Sequence, residues 1–254
     1  MNTNPFSLQG EIAIITGGGT GIGLSMSHKL AQAGAKVVLL GRREAPLQEA
    51  VQAIGEQASY EVFDVSQIKE IPAMVDKVTE QVGAPTILIN NAGNHLKKDA
   101  LETTNEEFNQ LINTHVMGSF ALTKAFAPAM IKQRHGSVLF IASMTSIIGL
   151  SKTIAYSAAK SAYLGLVKTF ASELSPHGVR VNAIAPGFII TEISRNAFDN
   201  DPQRLEKVLR RTPMNRRGDT DDIGHAAVYL CSPAAKFVTG VVLPVDGGFS
   251  IGLS

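Results

Sequence analysis

The stretch Ile12-Ala13-Ile14-Ile15-Thr16-Gly17-Gly18-Gly19-Thr20-Gly21-Ile22-Gly23 carries a short aliphatic run into a glycine-rich loop, and an amphipathic pattern follows over 21–33. The run reads as a buried strand and the pattern after it as a helix. Glycines between the two permit a tight turn and let another molecule approach the backbone closely. The free N–H groups and positive dipole end of the helix favour an anion there, above all a pyrophosphate. A strand, glycine loop and helix in this order are the opening unit of a doubly wound parallel sheet.

The rest of the chain repeats that rhythm. Aliphatic runs recur at 37–40, 60–63, 87–89, 138–141, 179–184 and 241–245, and helical patterns at 44–54, 67–82, 104–133, 153–175, 204–212 and 219–231. Continuous aliphatic strands are buried on both faces, and crossover helices supply the covering layers. No Pro/Gly/Ser linker, charge block or repeat divides the chain. The reading is one α/β domain over 1–254, with about seven parallel strands and helices on both faces. The segment 186–218 holds Pro186, Gly187, Pro202 and Pro213 and lacks a clear strand. As an insertion beyond a strand's carboxyl end, it is expected to carry a substrate lid over 188–215.

Composition narrows the class of function. The 254 residues carry a formal charge of +1 with both signs mixed along the chain. This argues against a nucleic-acid or anionic-membrane binder. The six histidines are scattered and Cys231 is the sole cysteine, so no intrachain disulfide and no metal cluster is expected. The opening Met1-Asn2-Thr3-Asn4-Pro5 has no basic flank with an apolar stretch behind it, and no apolar run is long enough for a membrane span. The expectation is a cytoplasmic protein.

Two further places carry chemistry. After the second strand the chain reads Leu40-Gly41-Arg42-Arg43, with no acidic residue to take the ribose 2′-hydroxyl of NAD. Arg42 or Arg43 is suited to grip a 2′-phosphate, which favours NADP, with NAD the other possibility. Downstream, Tyr156 and Lys160 stand four residues apart on one helix face, with Ser143 upstream of them. A phenol titrates near ~10, and a neighbouring ammonium is expected to bring it toward working pH.

These residues resemble the short-chain dehydrogenase/reductase family along essentially the whole chain. The resemblance rests on Thr16-Gly17-x-x-x-Gly21-x-Gly23, Asn90-Asn91-Ala92-Gly93, Ser143, Tyr156-x-x-x-Lys160, Pro186-Gly187 and Asp246-Gly247-Gly248. It implies a Rossmann-type fold and hydride transfer between a nicotinamide and a secondary alcohol or ketone. Thr20, Gly21 and Ile22 fall in the matching loop, and Asp64 and Val65 match the adenine-contacting pair. Asn91, Ala92 and Gly93 would border the cofactor, the Ile189 backbone would hold the nicotinamide carboxamide, and Thr191 would also face the cofactor. By the same resemblance Tyr156 exchanges the proton, Lys160 lowers its pKa and holds the nicotinamide ribose, and Ser143 holds the substrate oxygen. A homotetramer is also implied, assembled through the helices near 104–133 and 153–175 and the C-terminal region. The apolar tail Phe249-Ser250-Ile251-Gly252-Leu253 suits either that interface or packing on its own subunit.

The chain departs from the family at His115, where an asparagine usually helps to hold a proton-relay water. Imidazole both donates and accepts hydrogen bonds, so His115 reads either as a relay or as a packing residue. Asn113 would project from a different side of the helix. For the substrate, His95, Lys97, Lys98, Arg195 and Asn196 suit an anionic, hydroxyl-rich molecule. The overall pattern is similar to sugar-acid members such as gluconate 5-dehydrogenases. The alternatives are a 3-oxoacyl-thioester reductase and a catalytically silent NADP sensor.

Overall fold

The computed structural model describes residues 4–199 and 201–251, without the side chains of Ile193, Asn196, Ala197 and Asp199. The readings placed on Met1-Asn2-Thr3, on the Asn196 side chain and on Gly252 and Leu253 lie outside the described residues.

Seven parallel strands form one sheet: β1 (Ile12–Thr16), β2 (Lys36–Gly41), β3 (Ala58–Val62), β4 (Ile87–Asn90), β5 (Gly136–Ile141), β6 (Val179–Pro186) and β7 (Val242–Val245). Their order is β3-β2-β1-β4-β5-β6-β7. The winding reverses between β1 and β4, and such a switch point opens a crevice at the carboxyl ends of the strands. The helices are α1 (Gly21–Gln32), α2 (Glu44–Ile54), α3 (Ile71–Val82), α4 (Asn105–Ile112), α5 (Gly118–Gln133), α6 (Ile154–Leu174), α7 (Glu192–Asp199), α8 (Pro202–Arg211) and α9 (Thr220–Cys231).

Strand alternation sends neighbouring residues to opposite layers. Ile14 packs with Leu88, Phe126, Phe140 and Tyr163 under α5 and α6. Ala13 and Ile15 pack with Leu30, Leu39, Ile141 and Leu230 under α1 and α9. Each fully buried side chain of this kind contributes roughly 1.5–3 kcal/mol. Helix starts are fixed locally. Thr104 with Glu107 and Asp219 with Asp222 form capping boxes that satisfy the first N–H groups of α4 and α9.

Two elements differ from the sequence expectation. The single helix expected over 104–133 is broken by a π-helical turn, Asn113–Met117, between α4 and α5. A widened turn of this type recurs at functional sites and leaves no trace in 3.6-residue periodicity. The segment before α8 also contains a helix, α7, started by reciprocal bonds between the backbone and hydroxyls of Thr191 and Ser194. Among the described residues no helix is long and apolar enough to cross a membrane. Cys231 is a free, buried thiol.

Candidate active site

One hydroxyl ties the end of β1, just before the glycine loop, to the end of β4. Thr16, buried at the end of β1, donates to the Ile89 carbonyl at 3.2 Å and accepts from the backbone N–H groups of Asn91 and Ala92 at 2.9 and 2.8 Å. The Asn91 amide returns to the Thr16 carbonyl at 2.8 Å. β1 and β4 are thereby locked together at the switch point. Gly17 has φ +65° and Gly21 φ +54°, where side chains are strained. Gly23 has no room: a Cβ there would collide with the Gly17 carbonyl oxygen. The start of α1 has no acidic residue in its first turn and no side-chain cap, so its N–H groups remain open to an anion.

Three cavities run along the carboxyl edge. The first, about 520 Å³, lies beside Gly19, Arg42, Arg43, Asp64 and Val65. Asp64 turns one oxygen to the Ser66 N–H and hydroxyl at 2.9 and 2.8 Å, and the other stands 3.9 Å from the Arg42 guanidinium. The Asp64 carboxylate thus caps the next turn and draws Arg42 toward the same cavity. Asn113 and Thr114 also face this space.

The second cavity, about 650 Å³, brings Gly21, Ile22, Asn91, Gly93 and Pro186-Gly187 together with Ser143, Tyr156, Lys160 and His115. Tyr156 and Ser143 line this cavity together, and Ser143 acts to lower the phenol pKa. The Ser143 oxygen accepts from the Thr145 N–H at 3.1 Å, leaving its own proton to donate. The Lys160 ammonium donates to the Ile141 carbonyl at 2.6 Å and stands 5.8 Å from the centre of the Tyr156 ring. Burial lowers the Lys160 pKa to about 7. The Tyr156 pKa is raised by burial, against the lowering effect of Ser143. Burial, which disfavours the charged form of both groups, thus sets the net direction at Tyr156, opposite to the lowering expected from Lys160.

His115 is buried, and its Nε2 lies 2.9 Å from the Asn94 carbonyl and 3.3 Å from the Asn94 N–H. One ring nitrogen cannot serve both, and the shorter contact assigns the proton to Nε2, donating to Asn94 O. Nδ1 then has no partner. Burial, and after it the Lys160 charge, lowers the His115 pKa to about 3, so the ring is neutral. Its edge meets the Tyr156 ring at 5.7 Å, and it fills the space a Cβ on Gly93 would need. The His115 backbone carbonyl accepts from the Tyr163 hydroxyl at 3.0 Å.

The third cavity, about 1000 Å³, adjoins the second through Ser143, Tyr156, His95, Gly187 and Thr191 and runs under α7 and α8. Its floor is tied down, with the Gly218 carbonyl accepting from the Ile190 N–H at 2.8 Å and the Gly218 N–H donating to the Phe188 carbonyl at 3.0 Å. The Ile189 carbonyl accepts from Ser194 Oγ at 2.7 Å. A Cβ on Gly187 would strike Asp246, and Gly247 accepts from the Met214 N–H, so Asp246-Gly247-Gly248 braces this segment. His95 and Lys97 line the cavity. Arg195 is exposed on α7 and is not among its lining residues, and Lys98 is paired with Glu107 at 2.9 Å. Arg204, Lys207 and Arg211, which the sequence reading left without a role, enter it instead. Their spacing along the helix expected at 204–212 was the available signal, since i, i+3 and i+7 share one face. Phe249 packs inward, 5.1 Å from Phe188, while Ile251 is exposed.

Comparison with known proteins agrees with this geometry. A family model described as enoyl-(acyl carrier protein) reductase matches residues 17–250. The chain is 37% identical to a galactitol 2-dehydrogenase (L-tagatose-forming) of Cereibacter sphaeroides, covering 97% of each chain. It is 36% identical to a 2-dehydro-3-deoxy-D-gluconate 5-dehydrogenase of Dickeya dadantii, over 98% of this chain and 99% of the other. A 3-oxoacyl-[acyl-carrier-protein] reductase of Vibrio cholerae is 33% identical, over 95% and 98%. Among solved structures, a gluconate 5-dehydrogenase of Burkholderia cenocepacia in complex with NADP and tartrate superposes with a TM-score of 0.93 at 33% identity, over 98% of each chain. The chain belongs to the short-chain dehydrogenase/reductase family, oxidoreductases that pass a hydride between a nicotinamide cofactor and a CH–OH carbon.

Proposed function

We propose that this protein is an NADP(H)-dependent oxidoreductase acting on a secondary hydroxyl or ketone of a sugar acid, of the gluconate/5-ketogluconate type. The observation that carries the reading is the seat of Ser143 and Tyr156, at the junction between the dinucleotide crevice and a cavity rich in cationic side chains. The residues present suit a dinucleotide. Gly17 and Gly23 leave a cradle only backbone can form, α1 opens without an acidic residue, and Arg42 and Arg43 border the adenosine side.

A bound NADP(H) supplies or takes the hydride. In the reducing direction Tyr156 gives its proton to the oxygen as negative charge grows there, and Ser143 donates a hydrogen bond to the same oxygen. Lys160, held on Ile141 O beneath the Tyr156 ring, supplies positive charge close to the phenolate that remains. The segment 188–215 closes over the substrate as a lid. Exposed Met117, Phe120, Ile147 and Ile154 suit association of the subunits as a homotetramer. The buried Cys231 thiol suits the cytoplasm.

The test is NADPH and NADH oxidation with keto sugar acids and with acetoacetyl thioesters, beside the reverse reaction with gluconate. Turnover of a sugar acid with NADPH is expected, while selective thioester turnover would replace the substrate reading. Tyr156→Phe is expected to lower kcat by about 10²–10⁴ with NADPH affinity retained. A biological activity that survives this substitution would point to the silent sensor.

A further inference from the structure

Four cations, Lys97, Arg204, Lys207 and Arg211, line the cavity that adjoins Tyr156, and none has a carboxylate partner among the described residues. Lys152, also on its wall, is already paired with Asp99 at 3.1 Å. Among the described residues Asp201 is the acidic residue lining the cavity, and one of its oxygens caps α8 through the Arg204 N–H at 3.0 Å. Among those residues the excess of positive charge is therefore uncompensated.

The two arginines are also held in place. The Arg204 guanidinium lies 4.8 Å from the Phe198 ring, whose other guanidinium neighbour, Arg217, stands at 5.0 Å. Arg211 lies 4.7 Å from the Phe249 ring. Stacking fixes the plane of a guanidinium and leaves its N–H edge to donate. The Arg211 Nε is buried without a hydrogen-bond partner, and a buried donor of this kind is costly unless an acceptor arrives. The field reaches the reacting end of the cavity. The His95 ring sits 4.7 Å from the Tyr156 ring, and its pKa is lowered first by desolvation and then by the charges of Arg204 and Lys97.

We infer that the α8 face made by Arg204 and Arg211, with Lys207 and Lys97 beside it, is a carboxylate subsite that anchors the acidic end of the substrate and presents a remote carbinol carbon to Tyr156 and Ser143. The inference rests on the sugar-acid reading and adds to it. It assigns specificity to residues outside the hydride-transfer machinery, and it selects polyhydroxy carboxylates over neutral polyols.

The experiment compares D-gluconate with galactitol, a neutral polyol of equal carbon number, in the wild type, Arg204→Gln and Arg211→Gln. Each substitution is expected to raise KM for gluconate about tenfold or more. The weak galactitol reaction, kcat and the NADPH dissociation constant should each change by less than about twofold. Equal loss on both substrates, or no loss on gluconate, overturns the subsite. If the wild type turns over only acyl thioesters, the sugar-acid reading fails by itself. Gluconate inhibition of the thioester reaction then reads the subsite: inhibition that Arg204→Gln abolishes supports it, and no inhibition overturns it.

Discussion

The two halves of the crevice are built from different materials. On the dinucleotide side the recognising surface is backbone: glycines that leave no room for side chains, a helix start without a cap, and strands locked by the Thr16 hydroxyl. On the substrate side it is side chains, delivered by α8 and oriented by aromatic rings from α7 and the C-terminal turn. Backbone geometry serves one shape of ligand and tolerates little change. A surface of long cations over rings can be altered one residue at a time, so relatives with one cofactor crevice can act on polyols, sugar acids or thioesters.

The sharpest way to break this contrast is Gly23→Ala. Its methyl group would meet the Gly17 backbone carbonyl and the Asn91 side-chain amide, and the loop must shift. A cost of about 3 kcal/mol or more in the dinucleotide complex is expected, read as NADPH affinity and as lost stabilisation of Tm by NADPH. Near-normal binding would mean that the cradle is pliable and the comparison fails.

His115 sits between the halves, bonded to the Asn94 backbone on one side and edge-on to Tyr156 on the other. Its folded pKa of about 3 lies below the ordinary 6.5, so the unfolded chain binds the extra proton first. Stability should hold above pH 6.5 and fall as the pH drops toward 3, by on the order of 3 kcal/mol at pH 4.5. His115→Asn removes the titrating ring. Tm measured from pH 7 to pH 4.5 should fall less steeply in the variant, whatever its absolute value, and parallel slopes would deny the buried neutral ring.

The smallest effect concerns a side-chain device on the dinucleotide side, the arginine pair after β2. Arg42→Ala combined with Arg43→Ala should weaken NADPH about tenfold relative to NADH, roughly 1.4 kcal/mol. An unchanged ratio of kcat/KM for the two cofactors would place cofactor choice elsewhere than at the end of β2.

What the sequence made legible follows the same division. The aliphatic runs and the glycine loop could be read because their requirements are local, set by a few consecutive residues. Ser143, Tyr156 and Lys160 were found by spacing on and before one helix. The direction of the Tyr156 pKa was not, because burial depends on the whole layer around α6. The role of Arg204 and Arg211 is not legible, since nothing in their own neighbourhood shows that α8 lines the cavity that adjoins Tyr156. The π turn at Asn113–Met117 was invisible because periodicity describes helices of constant pitch.

The contact between Gly93 and the His115 ring also couples the two positions. With histidine at 115, the first side-chain atom of any other residue at 93 meets the imidazole, so a substitution there requires the ring to shift or to be replaced. The cost of a change at either position therefore depends on what stands at the other, and the imidazole acts as a wedge behind the cofactor loop.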